Sequence, residues 1–175
     1  VKSIAGQENS GTFNPALYGG VLKDKDSTSA IQKFLTEDYS LADASALQKE
    51  IDWLMNSGYR GTFQSMNEAY LGQTEDWLSF SAQLEEENPE ELAMFNAAFE
   101  EYQASGETRG LLAFDYSEAV NLAGWGYVAG YLTFEESAQI SVDACAKIQQ
   151  EFQSWEDYEK CFTFDSMYLY SNTVS

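Results

Sequence analysis

Chemistry near neutral pH most often needs a histidine, and this chain of 175 residues has none. A Ser-His-Asp triad therefore cannot be assembled. A zinc, iron or copper site would have to rely on Cys145, Cys161 and carboxylates. Gly124-Trp125-Gly126-Tyr127-Val128-Ala129-Gly130 resembles a dinucleotide fingerprint, but its last spacing is one residue too long and no strand pattern precedes it. Asp24-Lys25-Asp26-Ser27-Thr28 begins like a calcium loop, but Ser29 stands at the sixth position and Leu35 at the twelfth. No Gly-x-x-x-x-Gly-Lys loop is present to cradle a phosphate. Carboxylate chemistry survives this filter, because two Asp or Glu residues across a cleft can hydrolyse a glycosidic bond unaided. With 29 acids in the chain some pair always looks suggestive, and most are expected to form a solvated face. No cofactor and no metal is expected.

The 29 acids stand against 9 basic residues, a net charge of −20. Non-specific nucleic-acid binding needs a basic surface, so that class is excluded. Anionic lipid is repelled in the same way. A basic protein or peptide is the partner this charge favours. Hydrophobic residues make up 44% of the chain, which is enough for a sizeable core.

Two prolines and repeated helical periods predict an all-α fold, a compact bundle of about seven helices. Ser40-Leu41-Ala42-Asp43 reads as a capping box for a helix with Leu47, Ile51 and Leu54 on its apolar face. Gly58 ends that helix, and Phe63, Met66 and Tyr70 mark the next, which stops near Gly72. Thr74 caps a third helix with Trp77, Phe80 and Leu84. Asn88-Pro89-Glu90-Glu91 then supplies a cap, an N1 proline and two carboxylates for the positive end of a fourth. Leu111–Leu132 is apolar on nearly every side and is expected at the centre, with Gly126 and Gly130 admitting a close neighbour. Asp115 and Asn121 interrupt it, and the expected role of Asp115 is structural. Short of the ~20 apolar residues a bilayer requires, this segment is not expected to insert into a membrane. Thr133-Phe134-Glu135-Glu136 starts a helix with Ala138, Val142, Cys145, Ile148 and Phe152 inward. Ser154-Trp155-Glu156-Asp157 starts the last, through Tyr158, Phe162 and Met167. A turn near Gln153 would bring the two cysteines to similar heights, although free thiols are the favoured expectation.

Phe114-Asp115-Tyr116, Asn121-Leu122-Ala123 and Trp125-Gly126-Tyr127-Val128-Ala129-Gly130-Tyr131, followed by Glu135-Glu136, Ser154-Trp155 and Tyr158, resemble the core of the bacterial "domain of unknown function 1266" family. That family's motif reads roughly Trp-Asp-x-x-Arg, a spacer, then Arg-Trp-Gly-x-x-Ala-Gly-Tyr. The segment Ile51–Arg60 is similar to its upstream Trp-Leu…Gly-His-Arg helix end, so the resemblance covers about residues 40 to 165. Phe114 replaces a frequent Trp, Glu118 and Gly124 replace frequent arginines, and Tyr59 replaces a frequent His. The resemblance implies a helical fold and no particular activity. Either those arginines served a shared anionic ligand, which this chain could no longer bind, or they served packing that has been rebuilt.

The motif residues and the polar interruptions together define the candidate site as Asp115, Asn121, Trp125, Tyr127, Tyr131, Glu136, Trp155 and Tyr158. Tyrosines exceed what one small core needs; most are expected half-buried at helix junctions, with interface anchoring as the alternative. The expected organisation is an irregular tether over residues 1–27 and one helical domain over 28–175. Val1 in place of Met leads us to expect export or anchoring, with a cytoplasmic location as the alternative. The expected function is a non-catalytic protein- or peptide-binding module. The alternatives are a carboxylate hydrolase of the glycosidase type and an immunity-type inhibitor of a basic toxin.

Overall fold

Asp24 proves to be a helix cap. Its Oδ1 accepts the Ser27 amide at 2.8 Å, and helix α1 (Lys25–Tyr39) follows. The structure, a computed structural model, describes residues 18–171, apart from the side chains at 166, 167, 170 and 171. The tether expected at the N-terminus thus lies, up to residue 17, outside the described residues, as does the side chain of Met167. Seven further helices complete an all-helical architecture: α2 (Ala44–Asn56), α3 (Gly58–Gly72), α4 (Glu75–Glu87), α5 (Pro89–Ser105), α6 (Leu112–Ala129), α7 (Phe134–Glu151) and α8 (Trp155–Ser171). Among the described residues there is no strand, and no helix is long and apolar enough to cross a membrane.

The caps explain most of the boundaries. Thr74 accepts the Trp77 amide, Asn88 accepts that of Glu91 ahead of Pro89, and Thr133 with Glu136 forms a complete capping box. Two expected boundaries are corrected. Ser40 does not open α2; it sits in the left-handed region at φ 59° and closes α1. Asp43 opens α2 by accepting the Ala46 amide at 2.9 Å. The central helix ends at Ala129 rather than Leu132, because Gly130 turns the chain at φ +78°. Its last carbonyls are then taken by α1, with Thr28 Oγ1 donating to Val128 O at 2.9 Å and Gln32 Nε2 to Ala129 O at 2.8 Å.

The described chain divides into two compact units. The first comprises residues 18–56 and 115–153, with α1, α2, most of α6 and α7. Its core packs Leu35, Leu47, Ile51 and Leu54 against Ala119, Leu122 and Ala123. The expected close approach is made by Gly126 and Gly124. A Cβ on Gly126 would overlap Leu47 Cδ2 and stand 3.0 Å from Leu132 Cδ1, and one on Gly124 would stand 2.9 Å from Gly19 Cα. Gly130 has no such neighbour and belongs to the turn. Helix α7 is rotated from the expected face, so Val142 and Cys145 are exposed while Ser137 and Ala144 are buried. The reason is polar. Ser137 Oγ donates to Ala123 O at 2.6 Å, drawing a hydroxyl inward where an apolar pattern would look for a hydrocarbon.

The second unit comprises residues 57–114 and 154–171, with α3, α4, α5, the first turn of α6 and α8. Its core is aromatic. Phe63 meets Tyr102 and Tyr168 edge-on, each at 4.8 Å, and Trp77 and Phe95 pack around Phe99. Both cysteines are free thiols, Cys145 exposed and Cys161 buried.

The glycine notch yields a direct test. Gly126→Ala should lower stability by about 1–3 kcal/mol through overpacking, despite the ~1 kcal/mol helix-propensity gain of alanine. Val142→Ala should be near neutral. Urea midpoints read both, and a Gly126→Ala chain more stable than the parent would refute the close packing.

Candidate functional site

The first turn of α6 is sealed from water, with Leu111, Leu112 and Ala113 all buried. Its amides therefore need acceptors within the protein. Asp165, on α8 and itself 0% exposed, supplies one by accepting the Phe114 amide at 2.9 Å. A carboxylate suits the positive end of a helix. The Cys161 thiol, one turn before it, is 3.7 Å from Asp165 Oδ1 and 3.8 Å from Gly110 O. Burial and the neighbouring Asp165 push that thiol well above its ordinary range, so it acts as a weak donor and not as a nucleophile. The Gly110 amide donates to Tyr102 Oη at 3.1 Å.

Arg109 closes the same region. It donates to both carboxylate oxygens of Asp157, at 2.9 and 2.8 Å, and through Nε to Glu107 at 2.7 Å. Glu107 also accepts the Thr108 and Arg109 amides at 2.9 and 2.8 Å. The Arg109 hydrogen bonds hold the Glu107 carboxyl below its usual range against the opposing effect of burial. Glu107 and then Asp157 raise the guanidinium in turn. These groups lock the α5–α6 connection onto α8.

On this framework lies a run of five aromatic rings. Trp155 meets Tyr158 edge-on at 5.7 Å, Tyr158 stacks on Phe162 at 6.1 Å, Phe162 on Phe114 at 6.4 Å, and Phe114 meets Tyr59 at 5.7 Å. Residues 155, 158 and 162 share a face of α8 by helical spacing. Trp155 is 76% exposed and Tyr59 37%, while the rings between them are half-buried. Glu156, Asp157 and Glu159 put three carboxylates on the same stretch of α8. Lys160 pairs with Glu156 at 2.9 Å, largely in solvent, and Asp157 is held by Arg109.

Trp155 and Tyr158 thus fall on one surface of the second unit. The other six expected residues lie in the first unit, each with an internal partner. Asp115 is 0% exposed, and among the described residues no buried side-chain polar atom lacks a hydrogen bond. Asn121 donates to Glu118 Oε2 at 3.2 Å, and Tyr39 donates to Oε1 at 2.7 Å. Trp125 packs edge-on against Phe34 and Tyr39. Tyr127 lies against Tyr18 and Phe134, with the Lys23 ammonium 4.0 Å from its ring centre. Tyr131 donates to Ala42 O at 2.9 Å, and Glu136 completes the α7 capping box. Positions 118 and 124 are part of this packing. Glu118 is held by Tyr39 and Asn121, and Gly124 lies against Gly19. Glu50 has its carboxyl pushed up by burial and by Glu118. Among the described residues no three Cys, Asp or Glu side chains converge as a metal site requires.

Sequence reasoning missed Asp165, Arg109 and Phe162 as site residues. The aromatic spacing from Trp155 was the available signal for Phe162. Nothing local marks Asp165.

An all-helical chain with an aromatic core, a buried capping carboxylate and an exposed aromatic run is the class these observations define. Residues 34–173 match the family model described as "Protein of unknown function (DUF1266)", and the chain belongs to that family. No curated protein and no solved structure matches it.

Glu107 makes the stability pH-dependent with a definite sign. Its folded pKa is below the ordinary 4.5, so the stability it confers is present above that pH and is lost as pH falls through the depressed value. Glu107→Gln should cost about 2 kcal/mol at pH 7, and the gap from the parent should narrow as pH falls through the depressed value. Chemical denaturation across pH 3–7 measures this, and a gap constant with pH would refute it.

Proposed function

We propose that the chain is a protein- or peptide-binding module and that the run from Tyr59 to Trp155 receives a basic partner. The observation that carries this reading is Trp155, a large ring left 76% in solvent at the start of a capped helix. Burying such a ring releases much apolar surface at small entropic cost, and tryptophan is enriched at binding hot spots for that reason. Its face also attracts a guanidinium or ammonium group. The net charge of −20 favours cationic partners and speeds their approach at low salt. The titratable groups beneath the run are committed to holding α6, so the surface supports recognition better than turnover.

The test is an array of Arg- and Lys-rich peptides against neutral and acidic ones, followed by calorimetry on the tightest binder. Basic peptides should win, and binding should weaken as salt rises from 50 to 500 mM. Trp155→Ala should raise Kd about tenfold or more without moving the melting temperature. Equal affinity for neutral peptides, or a Trp155→Ala chain that binds like the parent, would refute the assignment.

A carboxylate hydrolase is the second reading, favoured by the raised Glu50 beside a hydrogen-bonded Glu118. It predicts turnover of aryl glycosides that Glu50→Gln abolishes. An absence of turnover by the parent chain would dispose of it.

A further inference from the structure

The segment before α1 lies over the helices of the first unit as an extended peptide would. Tyr18 stands between Tyr127 of α6 and Phe134 of α7, with ring centres 5.9 and 5.5 Å away. Its hydroxyl donates to Ser137 O at 3.1 Å and shares a hydrogen bond with Ser141 Oγ at 2.7 Å. Gly19 then runs directly against Gly124. A Cβ at position 19 would overlap Gly124 O and stand 2.8 Å from Val128 Cγ2. At the far end the Lys23 ammonium lies 4.0 Å from the centre of the Tyr127 ring. An aromatic socket with hydroxyl partners, a glycine notch and a ring for a cation thus receive Tyr18, Gly19 and Lys23 in turn.

This hold is made by few groups. Among the described residues no backbone hydrogen bond joins residues 19–23 to α6 or α7. Residues 20–24 are exposed, Leu22 to 52%. Gly19 and Gly20 sit at φ 85° and 87°, and fixing glycines costs more backbone entropy than fixing other residues. Lifting the segment breaks no helix, because Asp24 caps α1 through the Ser27 amide alone. A surface that seats Tyr-Gly-Gly-Val-Leu-Lys within the chain recognises that chemistry in any molecule that carries it. We propose that this face of α6 and α7 is a second peptide-binding site, apart from the aromatic run, and that residues 18–23 are its resident competitor. Its partner is a segment of another protein in which an aromatic residue directly precedes glycine and a basic residue follows. A second copy of the chain would bring a further net charge of −20 to the same face, which opposes exchange between copies.

The probe is an acetylated peptide of residues 18–24, titrated into the full chain labelled with nitrogen-15. The tethered segment competes at high effective concentration, so the parent should bind the probe about tenfold or more weakly than a Tyr18→Ala chain, whose own segment is loosened. Amide shifts should concentrate on Gly124, Tyr127, Val128 and Ser141. Peptides with alanine in place of the tyrosine, or of the glycine beside it, should each lose about tenfold or more in affinity, and these losses do not depend on how any protein variant folds. Trp155→Ala should leave binding intact. An absence of binding by both chains, equal affinity of the two chains, undiminished binding of the alanine peptides, or shifts that centre on Trp155 would each overturn the assignment. A parent dimer that the peptide dissolves would overturn it too, and would give the surface to a second copy.

Discussion

A helix that begins away from solvent must find acceptors for its leading amides, and in the second unit that requirement falls on Asp165. Its carboxylate meets the Phe114 amide across 51 residues of sequence. Because Asp165 is fully buried, its carboxyl group is tolerable only while donors surround it. The Phe114 amide, the Cys161 thiol and the helix dipole meet that condition together. Arg109 then fixes the loop that delivers α6 to this point, by joining Glu107 to Asp157 on α8. The aromatic run depends on the same arrangement, since the residue whose amide Asp165 holds also contributes the ring between Tyr59 and Phe162.

What could be read from the sequence was local. Asn88-Pro89-Glu90-Glu91 and Thr133–Glu136 announce helix starts because every residue needed for the cap lies within one turn. The apolar helix was visible from composition, but its end was not, since Gly130 fits a continuing notch as well as a turn. Helix α1 was hidden because it buries Leu35 fully and little else, and because Asp24 suits a metal loop as readily as a cap. The face of α7 was misjudged where Ser137 turns inward to meet a carbonyl. Asp165 was illegible, since its partner lies in a different helix. Trp155 and Tyr158 were legible as candidates, but no pattern of spacing reports how far a ring stands in solvent.

Glu118 and Gly124, two positions within the motif region of α6, are informative in physical terms. A side chain at 124 would collide with the backbone at Gly19, so the segment before α1 occupies the space an arginine would need. At 118 a carboxylate accepts from Tyr39 and Asn121, a reversal of hydrogen-bond polarity from the donor that a guanidinium would be.

The ordering of segments along the chain has a consequence for biosynthesis. Helices α3, α4 and α5 are made before α6 and α7, but Tyr168, which closes their aromatic core, and Asp165, which secures the start of α6, both arrive later, on α8. A nascent polypeptide must therefore carry an open, ring-lined half-core through the translation of more than forty intervening residues, those from 112 to 154. A premature stop anywhere before α8 would leave that greasy surface exposed to aggregation or chaperone capture.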